Sequence, residues 1–153
     1  MSIKNRKKRN TFGFTLIELL VVISIIGILL ALSIFGMQSA RQAARDGKRK
    51  SDLEQIRSGL ELYRADCGVY PTGSLVAGAT LSGDGSTDSC SLTNTYISSI
   101  PTDPLSDTNL YAYSSDGSTY LVCAALEQPP TTPMDITGCG NCGSTCNYVV
   151  TNP

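Results

Sequence analysis

The chain has 153 residues, enough for one domain and an anchor but not for two full domains. Its formal net charge is −1, but the charges are strongly segregated along the chain. Arg64 is the last basic residue, and eight acidic residues follow it. An acidic region is a poor binder of phosphate backbones, so the sequence does not favour nucleic-acid binding by the C-terminal part.

The chain begins with a basic segment that leads into a long apolar one. Five of the twelve basic residues lie between Lys4 and Arg9. The stretch from Leu19 to Ala40 then has no charged residue, and as a helix it rises about 33 Å, enough for a bilayer core of about 30 Å. The positive-inside rule places the basic end in the cytoplasm and the rest outside, although a second basic cluster at 41–50 weakens this bias. We predict a single-pass protein of the cytoplasmic membrane.

An ordinary secretory signal peptide is the alternative interpretation of this region. The apolar run is longer than a usual signal core, and no small-x-small cleavage site closes it. A helical pattern also continues beyond it, because apolar residues recur at spacings of three and four from Leu53 to Tyr63. Near the start of the span lies one carboxylate, Glu18, which is costly to bury in lipid unless it has a partner or a function.

The segment Gly13-Phe14-Thr15-Leu16-Ile17-Glu18-Leu19-Leu20-Val21-Val22 closely resembles the processing site of type IV prepilins and type II secretion pseudopilins. In that family a membrane-embedded aspartyl peptidase cuts after the glycine and methylates the new N-terminal phenylalanine. The resemblance implies that residues 1–13 are a basic leader peptide and that Gly13 precedes the cut. It also implies that Phe14 is the methylated N-terminus and Glu18 the carboxylate required for assembly.

Cleavage would remove five positive charges and create an amine on Phe14 that becomes a buried cation in a filament core. A Glu18 carboxylate from a neighbouring subunit can neutralise that amine at short range in a medium of low dielectric constant. The alternative role of Glu18 is to cap its own helix, since the N-terminus of a helix favours a negative charge. The two roles are compatible, and we favour the intersubunit role.

The pattern predicts one helix from about Thr15 to Asp66. Residues 14–40 form its transmembrane or filament-core half, and residues 41–66 form an amphipathic half that packs under the head. Gly27 and Gly36 interrupt the apolar half and either allow close helix packing, which we favour, or weaken the helix near Gly36 on assembly. Many filament-forming relatives have a proline midway along this helix, whereas this chain has none before Pro71.

The basic run from Arg41 to Lys50 has three interpretations. It pairs with the phospholipid surface before assembly, it pairs with acidic faces of neighbouring heads afterwards, or it is a solvated face of an amphipathic helix. The sequence does not choose between them.

Beyond the helix, residues 67–153 are predicted to form an extracytoplasmic head. The segment Asp66–Pro71, the Pro101-Thr-Asp-Pro motif and the stretch 111–123 resemble the pseudopilin G subfamily. Alternating residues around Ala112, a Ser-Asp-Gly turn and the segment Thr119–Ala125 predict a β-hairpin after a loop of some thirty residues. The expected fold class is α+β, a long N-terminal helix packed on a small antiparallel sheet, which is the pilin fold.

All six cysteines follow the apolar segment: Cys67, Cys90, Cys123, Cys139, Cys142 and Cys146. An even number in an exported region predicts disulfides, but the sequence leaves fifteen pairings open. Zinc or an iron–sulfur cluster at the last three cysteines is an alternative, as is a redox Cys-x2-Cys motif. The chain has no His for a fourth ligand and no thioredoxin-like βαβ pattern, so we expect disulfides and no metal.

Pseudopilin G relatives bind calcium in a loop after the hairpin. The corresponding segment here, 126–130, is proline-rich and lacks the acidic, glycine-containing loop of the family. Asp135 alone is no substitute, because calcium requires six to eight oxygen ligands. We therefore expect no calcium site, and we hypothesise that cystines replace it.

The sequence as a whole predicts the structural subunit of a type IV pilus-like filament, processed by prepilin peptidase and polymerised through its N-terminal helix. The expected partners are further copies of the chain, other pilins, the inner-membrane assembly platform and, before assembly, membrane lipid. The mature filament would lie at the cell surface. The alternatives are a major pseudopilin of a type II secretion or DNA-uptake system and a membrane-anchored binding domain that does not polymerise.

We expect no enzymatic activity and no cofactor. The sequence has no Gly-x-Ser-x-Gly elbow, no phosphate-binding glycine loop and no spaced carboxylate pair in an apolar setting.

Overall fold

The computed structural model describes residues 13–153, with the backbone alone for Ile34 and Phe35. Its elements in chain order are α1 (Leu16–Cys67), β1 (Leu81–Ser82), β2 (Thr95–Ile97), β3 (Ala112–Ser115), β4 (Tyr120–Ala124) and β5 (Tyr148–Thr151). The described residues fall into two compact units, one that ends at Ser39 and one from Ala40 to Pro153. The prediction of an α+β fold is confirmed, and the leader residues 1–12 lie outside the described part.

The first unit is helical from Leu16 onward, and its described side chains are all exposed. Within the described residues, α1 is the one helix long and apolar enough to cross a membrane. The helix runs without interruption through Gly27 and Gly36, and a Cβ at either glycine would meet nothing within 4 Å. Within the described residues neither glycine is in close packing contact, so the close helix packing that we favour for them stays a prediction.

In the second unit, α1 presents one buried stripe to the head, consisting of Leu53, Ile56, Leu60 and Tyr63, as predicted. The helix ends at Cys67, one residue later than predicted. Gly68 follows with φ 78°, and its N–H donates to the carbonyl of Arg64 at 2.8 Å. This left-handed C′ residue closes the last helical turn, a conformation that glycine adopts without strain.

The head contains two antiparallel sheets, with strand orders β1-β2 and β3-β4-β5. The predicted hairpin is confirmed as β3 and β4, with Ala112 opposite Cys123 and Ser115 opposite Tyr120. The strand β5, which pairs with β4, was not predicted, and neither were β1 and β2 inside the presumed loop. The strands β1 and β2 have two and three residues, too few for an alternating pattern to identify them.

The three-stranded sheet is covered on both faces. One face packs on α1, where Tyr120, Val122 and Val150 join the buried helical stripe. The other face packs against the segment 126–147, which contributes Ile136 and three half-cystines to a second, smaller core. The second unit thus consists of helix, sheet and a cystine-rich segment in successive layers.

Candidate processing and assembly site and the ion cluster of the head

The residues of the predicted processing site lie at the very start of α1. Gly13, Phe14 and Thr15 precede the first helical residue, and the Phe14 side chain is 91% exposed. The Thr15 N–H and Oγ1–H groups both donate to Oε2 of Glu18 at 2.9 Å. In return, the Glu18 N–H donates to Thr15 Oγ1 at 3.3 Å. Thr15 and Glu18 therefore form a reciprocal capping box, which satisfies backbone donors at the helix start and fixes the carboxylate there.

Phe14 and Glu18 flank the same shallow apolar groove, together with Ile17, Val21 and Val22. The structure thus brings two of the three predicted site residues together. Gly13 lies next to them in the chain, and a Cβ on it would meet nothing within 4 Å. The fold itself therefore places no steric demand for glycine at this position.

A buried ion cluster, formed by Arg45, Asp46, Arg49, Asp103 and Glu127, lies between α1 and the head and was missed by the sequence analysis. Arg49 has no exposed surface; it donates to Asp103 Oδ2 from Nε at 2.7 Å and to Asp103 Oδ1 from NH2 at 3.0 Å. Its NH1 group also donates to Asp46 Oδ1 at 2.7 Å and to Glu127 Oε1 at 3.0 Å. One guanidinium thus contacts three carboxylates.

Arg45 and Asp46 complete this ion cluster from the preceding helical turn. Arg45 makes a bidentate pair with Glu127, at 2.6 Å from Nε and 2.5 Å from NH2. Asp46 accepts the backbone N–H groups of Glu127 and Gln128 at 3.0 and 2.8 Å. The segment that follows β4 is therefore bound to α1 through side chain and backbone alike.

The ion cluster corrects one interpretation of the basic run at 41–50. The interpretation as a solvated helix face is wrong for Arg49 and Arg45, because both side chains pair with acidic residues of their own head. A signal for this was present in the sequence: the buried stripe extends backward from Leu53 by four and three residues to Arg49 and Asp46. Polar residues on a buried helical face require partners, although the sequence does not say which.

The pKa values within the cluster follow from these contacts. The Arg45 guanidinium lowers the pKa of Glu127 from 4.5 to about 2, with a further contribution from Arg49 and an opposing one from burial. The hydrogen bond to Asp103 raises the pKa of Arg49 above its ordinary value. Nearby, burial raises the pKa of Tyr111, whose hydroxyl donates to Asp52 at 2.9 Å. Arg49 and Glu127 are therefore both ionised at neutral pH.

Three disulfides account for all six cysteines: Cys67–Cys90, Cys123–Cys139 and Cys142–Cys146. The first joins the end of α1 to the loop before β2, and the other two build the second core on the outer sheet face. With the last three cysteines in disulfides, the alternative of a metal cluster has no thiolate ligands in this structure. Cys67, Asp84 and Cys90 bring three donor atoms within 4.8 Å, but two of these are the sulfurs of one disulfide.

An apolar N-terminal helix with a Gly-Phe-x3-Glu start and an α+β head defines the class of pilin-like subunits. Residues 8–34 match the model of the prokaryotic N-terminal methylation motif. Residues 36–126, more than half of the chain, match the model of type II secretion system protein G. The chain therefore belongs to the type II secretion system protein G family.

Curated relatives support this assignment over less than half of their length. The chain is similar to type II secretion system core protein G of Aeromonas hydrophila, with 38% identity over 66 residues, 43% of this chain and 46% of the relative. Its similarity to the Pseudomonas aeruginosa protein has the same values, and the Vibrio cholerae protein is 34% identical over 67 residues, 44% of this chain and 46% of the relative. The chain thus spans less than half the length of these relatives. No solved structure matches the chain.

Proposed function

We propose that this chain is a major pseudopilin, the structural subunit of a type IV pilus-like filament in a type II secretion system. In this proposal α1 anchors the chain in the cytoplasmic membrane with its N-terminus inside. Prepilin peptidase cuts between Gly13 and Phe14, methylates Phe14, and the mature subunit then polymerises. Other pseudopilins and the inner-membrane assembly platform are its further partners, and its role is structural rather than catalytic.

The exposed apolar surface of α1 is the observation that supports this proposal most directly. From Leu16 to Leu32 the large apolar side chains are exposed and directly follow the Gly13-Phe14 motif. A continuous apolar surface of this extent is unfavourable in water and has to be buried in lipid or against other subunits. A subunit that moves from the membrane to a filament core buries this surface first in lipid and then against other subunits.

Glycine at position 13 also supports processing there. A Cβ at position 13 would have free space, so the fold tolerates larger residues there. In this proposal glycine is needed instead by the peptidase, which must approach the backbone closely. We expect Gly13→Val to leave α1 intact and to block cleavage.

We propose that the Glu18 carboxylate first caps its own helix and later takes part in filament assembly. Both Thr15 bonds are made to Oε2, and the residue remains exposed, so a second donor can approach. After cleavage, the Phe14 amine of a neighbouring subunit is the donor that a filament core would supply. Neutralisation of this amine stabilises the packed helices because an unpaired charge in their interior is costly.

Mass spectrometry of the full chain from washed membranes and from sheared filaments tests the proposal. We expect a chain that begins with N-methylated Phe14 and is lighter by the hydrogens of three disulfides. We also expect this chain in cross-linked polymers. The same processed chain without any polymer would support the anchored, non-polymerising alternative. A chain that retains residues 1–13 in both fractions would contradict the proposal, and Gly13→Val supplies the uncut reference.

A further inference from the structure

The strand β4 runs along α1 toward the N-terminal end of the helix within the second unit. At the start of β4, the Tyr120 hydroxyl donates to Glu61 at 3.0 Å. Beyond its end, the N–H groups of Glu127 and Gln128 donate to the carboxylate of Asp46. Glu61 and Asp46 lie 15 residues apart, which is about 22 Å along the helix. The segment 128–134 therefore begins at the end of the head nearest to residue 40.

The distance from this end of the head to a bilayer follows from the helix that carries it. The uncharged stretch of α1 ends at Ala40, and Asp46 follows six residues later, a rise of about 9 Å. The headgroup layer adds about 5–7 Å to each side of the hydrocarbon core. A membrane-spanning helix is also tilted by about 20° on average, which brings one side of its head closer to the bilayer. In a membrane-anchored subunit, the segment 128–134 thus starts within side-chain reach of the lipid headgroups.

The surface of the segment 128–134 is suited to the interfacial layer of a membrane. Its sequence, Gln-Pro-Pro-Thr-Thr-Pro-Met, has no charged residue, and all of its residues except Pro130 are exposed. The three prolines lack the backbone N–H donors that are costly to withdraw from water. Pro129, Pro133 and Met134 line a shallow groove, and Met134 is 40% exposed. The segment therefore presents apolar surface at a low cost of desolvation.

The exposed charge at this end of the head also permits approach to lipid phosphates. Arg41, Lys48 and Lys50 are exposed, whereas Asp135 is an exposed acid next to the segment. Lys48 pairs with Asp52, but the lysine side chain is 58% exposed and that of the aspartate 7%, so the pair presents its cation to the outside. Basic residues close to a membrane surface are attracted to anionic phospholipids. The charges therefore favour contact of this end of the head with a phospholipid surface.

We propose that the segment 128–134 rests on the phospholipid surface before assembly, with Met134 at the level of the headgroups. The inference rests on the proposed function, because the membrane anchor brings the head to the bilayer. The same anchor holds the segment there at a high effective concentration, whereas a second copy of the chain has to arrive by diffusion. Contact with lipid fixes the orientation of the head, and it has to be broken when the subunit enters a filament.

Tryptophan fluorescence tests this contact, because the chain has no tryptophan of its own. Full-length Met134→Trp is reconstituted into vesicles of phosphatidylcholine and phosphatidylglycerol that carry bromine on the upper carbons of the acyl chains. We expect the bromine to quench its fluorescence and the emission to lie at shorter wavelength than in water. Thr131→Trp, at another exposed position of the segment, should respond in the same way.

Leu92→Trp is the matched control. Leu92 is 70% exposed and lies in the loop that is bonded to Asp66, about 30 Å along α1 from Asp46. Its fluorescence should be quenched by acrylamide in the water and not by the brominated lipid. Equal quenching by brominated lipid at positions 92, 131 and 134, with three disulfides intact in each chain, would overturn the proposal. Protection of Met134→Trp from both quenchers would also overturn it, because a second protein chain would then cover the segment.

Flotation of the same vesicles separates a failure of this inference from a failure of the proposed function. All three tryptophan variants should float with the lipid. A chain that floats without quenching at positions 131 and 134 keeps its anchor and overturns only the lipid contact. A chain that does not float contradicts the anchor itself, and with it the proposed function.

Discussion

Arg49 and Asp103 are separated by 54 residues in the chain, yet they form a bidentate ion pair with no exposed side-chain surface on either partner. Asp103 belongs to the loop before β3, and Glu127, which contacts the same guanidinium, belongs to the segment after β4. One cation on α1 therefore binds both connections that flank the hairpin. Because a buried charge is costly without its partners, this arrangement favours a single position of the head loops against the helix.

Replacement of Arg49 is predicted to cause a large loss of stability. Arg49→Met leaves the carboxylates of Asp46, Asp103 and Glu127 without their shared cation in a buried site, and breaking a buried pair in this way costs about 3–5 kcal/mol. The measurement is urea unfolding of the detergent-solubilised chain.

The control is Arg57→Met on the same helix. Arg57 pairs with the exposed Glu54 at 3.5 Å, and surface pairs contribute about 0–1 kcal/mol. Similar midpoints for the two variants would show that the buried cluster contributes no more than a surface ion pair.

The stability of the head should depend on pH through Glu127. Its pKa is lowered in the folded chain from 4.5 to about 2, chiefly by Arg45. The unfolded chain therefore binds the proton at a higher pH than the folded chain, so this contribution is present in full above pH 4.5 and is lost as the pH falls toward 2. Glu127→Gln lacks the titrating group, and its deficit in urea midpoint relative to the wild type should shrink over this window. A deficit that is constant with pH would contradict the lowered pKa.

Replacement of two glycines of α1 by alanine should change the stability of the chain in opposite directions. A Cβ on Gly47 would meet nothing within 4 Å, so Gly47→Ala should stabilise the exposed helix by about 0.5–1 kcal/mol. A Cβ on Gly59 would overlap Cγ1 and Cδ1 of Ile97, so Gly59→Ala should be destabilising through overpacking by about 1–3 kcal/mol, less the gain in helix propensity. Thermal unfolding of both variants provides the comparison, and a stabilising Gly59→Ala would show that Ile97 moves freely.

The disulfides should differ in what they contribute. Cys123–Cys139 closes a loop of 16 residues and Cys142–Cys146 a loop of 4, which in the chain-entropy model correspond to roughly 3 and roughly 2 kcal/mol. Paired Cys→Ala variants of each disulfide, compared by urea unfolding, should preserve this order. The reverse order would indicate that packing in the second core outweighs chain entropy.

The two roles of Glu18 can be separated with one substitution. Glutamine at the third helical position also forms a capping box, so Glu18→Gln should retain the Thr15 contacts while losing the negative charge. If the carboxylate neutralises a neighbouring Phe14 amine, this variant should be processed normally but lose polymer, as measured by cross-linking. Normal polymer from Glu18→Gln together with loss of polymer from Thr15→Ala would assign the requirement to capping instead.

The sequence by itself determined the long helix, its apolar half, the end of the helix near Cys67 and the β3–β4 hairpin. The processing motif at Gly13-Phe14 and the family resemblance are also evident from the sequence. All of these depend on contiguous residues, because apolar periodicity, turn residues and a ten-residue motif are local properties of the chain.

The tertiary structure decided the partners of Arg49, the pairing of the cysteines, the strand β5 and the covering of the outer sheet face by residues 126–147. The sequence places Arg49 on the buried stripe, but two of its three carboxylate partners, Asp103 and Glu127, come from positions 54 and 78 residues away. Likewise, six cysteines permit many pairings, and only the packing of the segment after β4 brings Cys139 against Cys123. Ion pairs and disulfides form between groups that are close in space, and that proximity arises only when the helix, the sheet and the loops pack together.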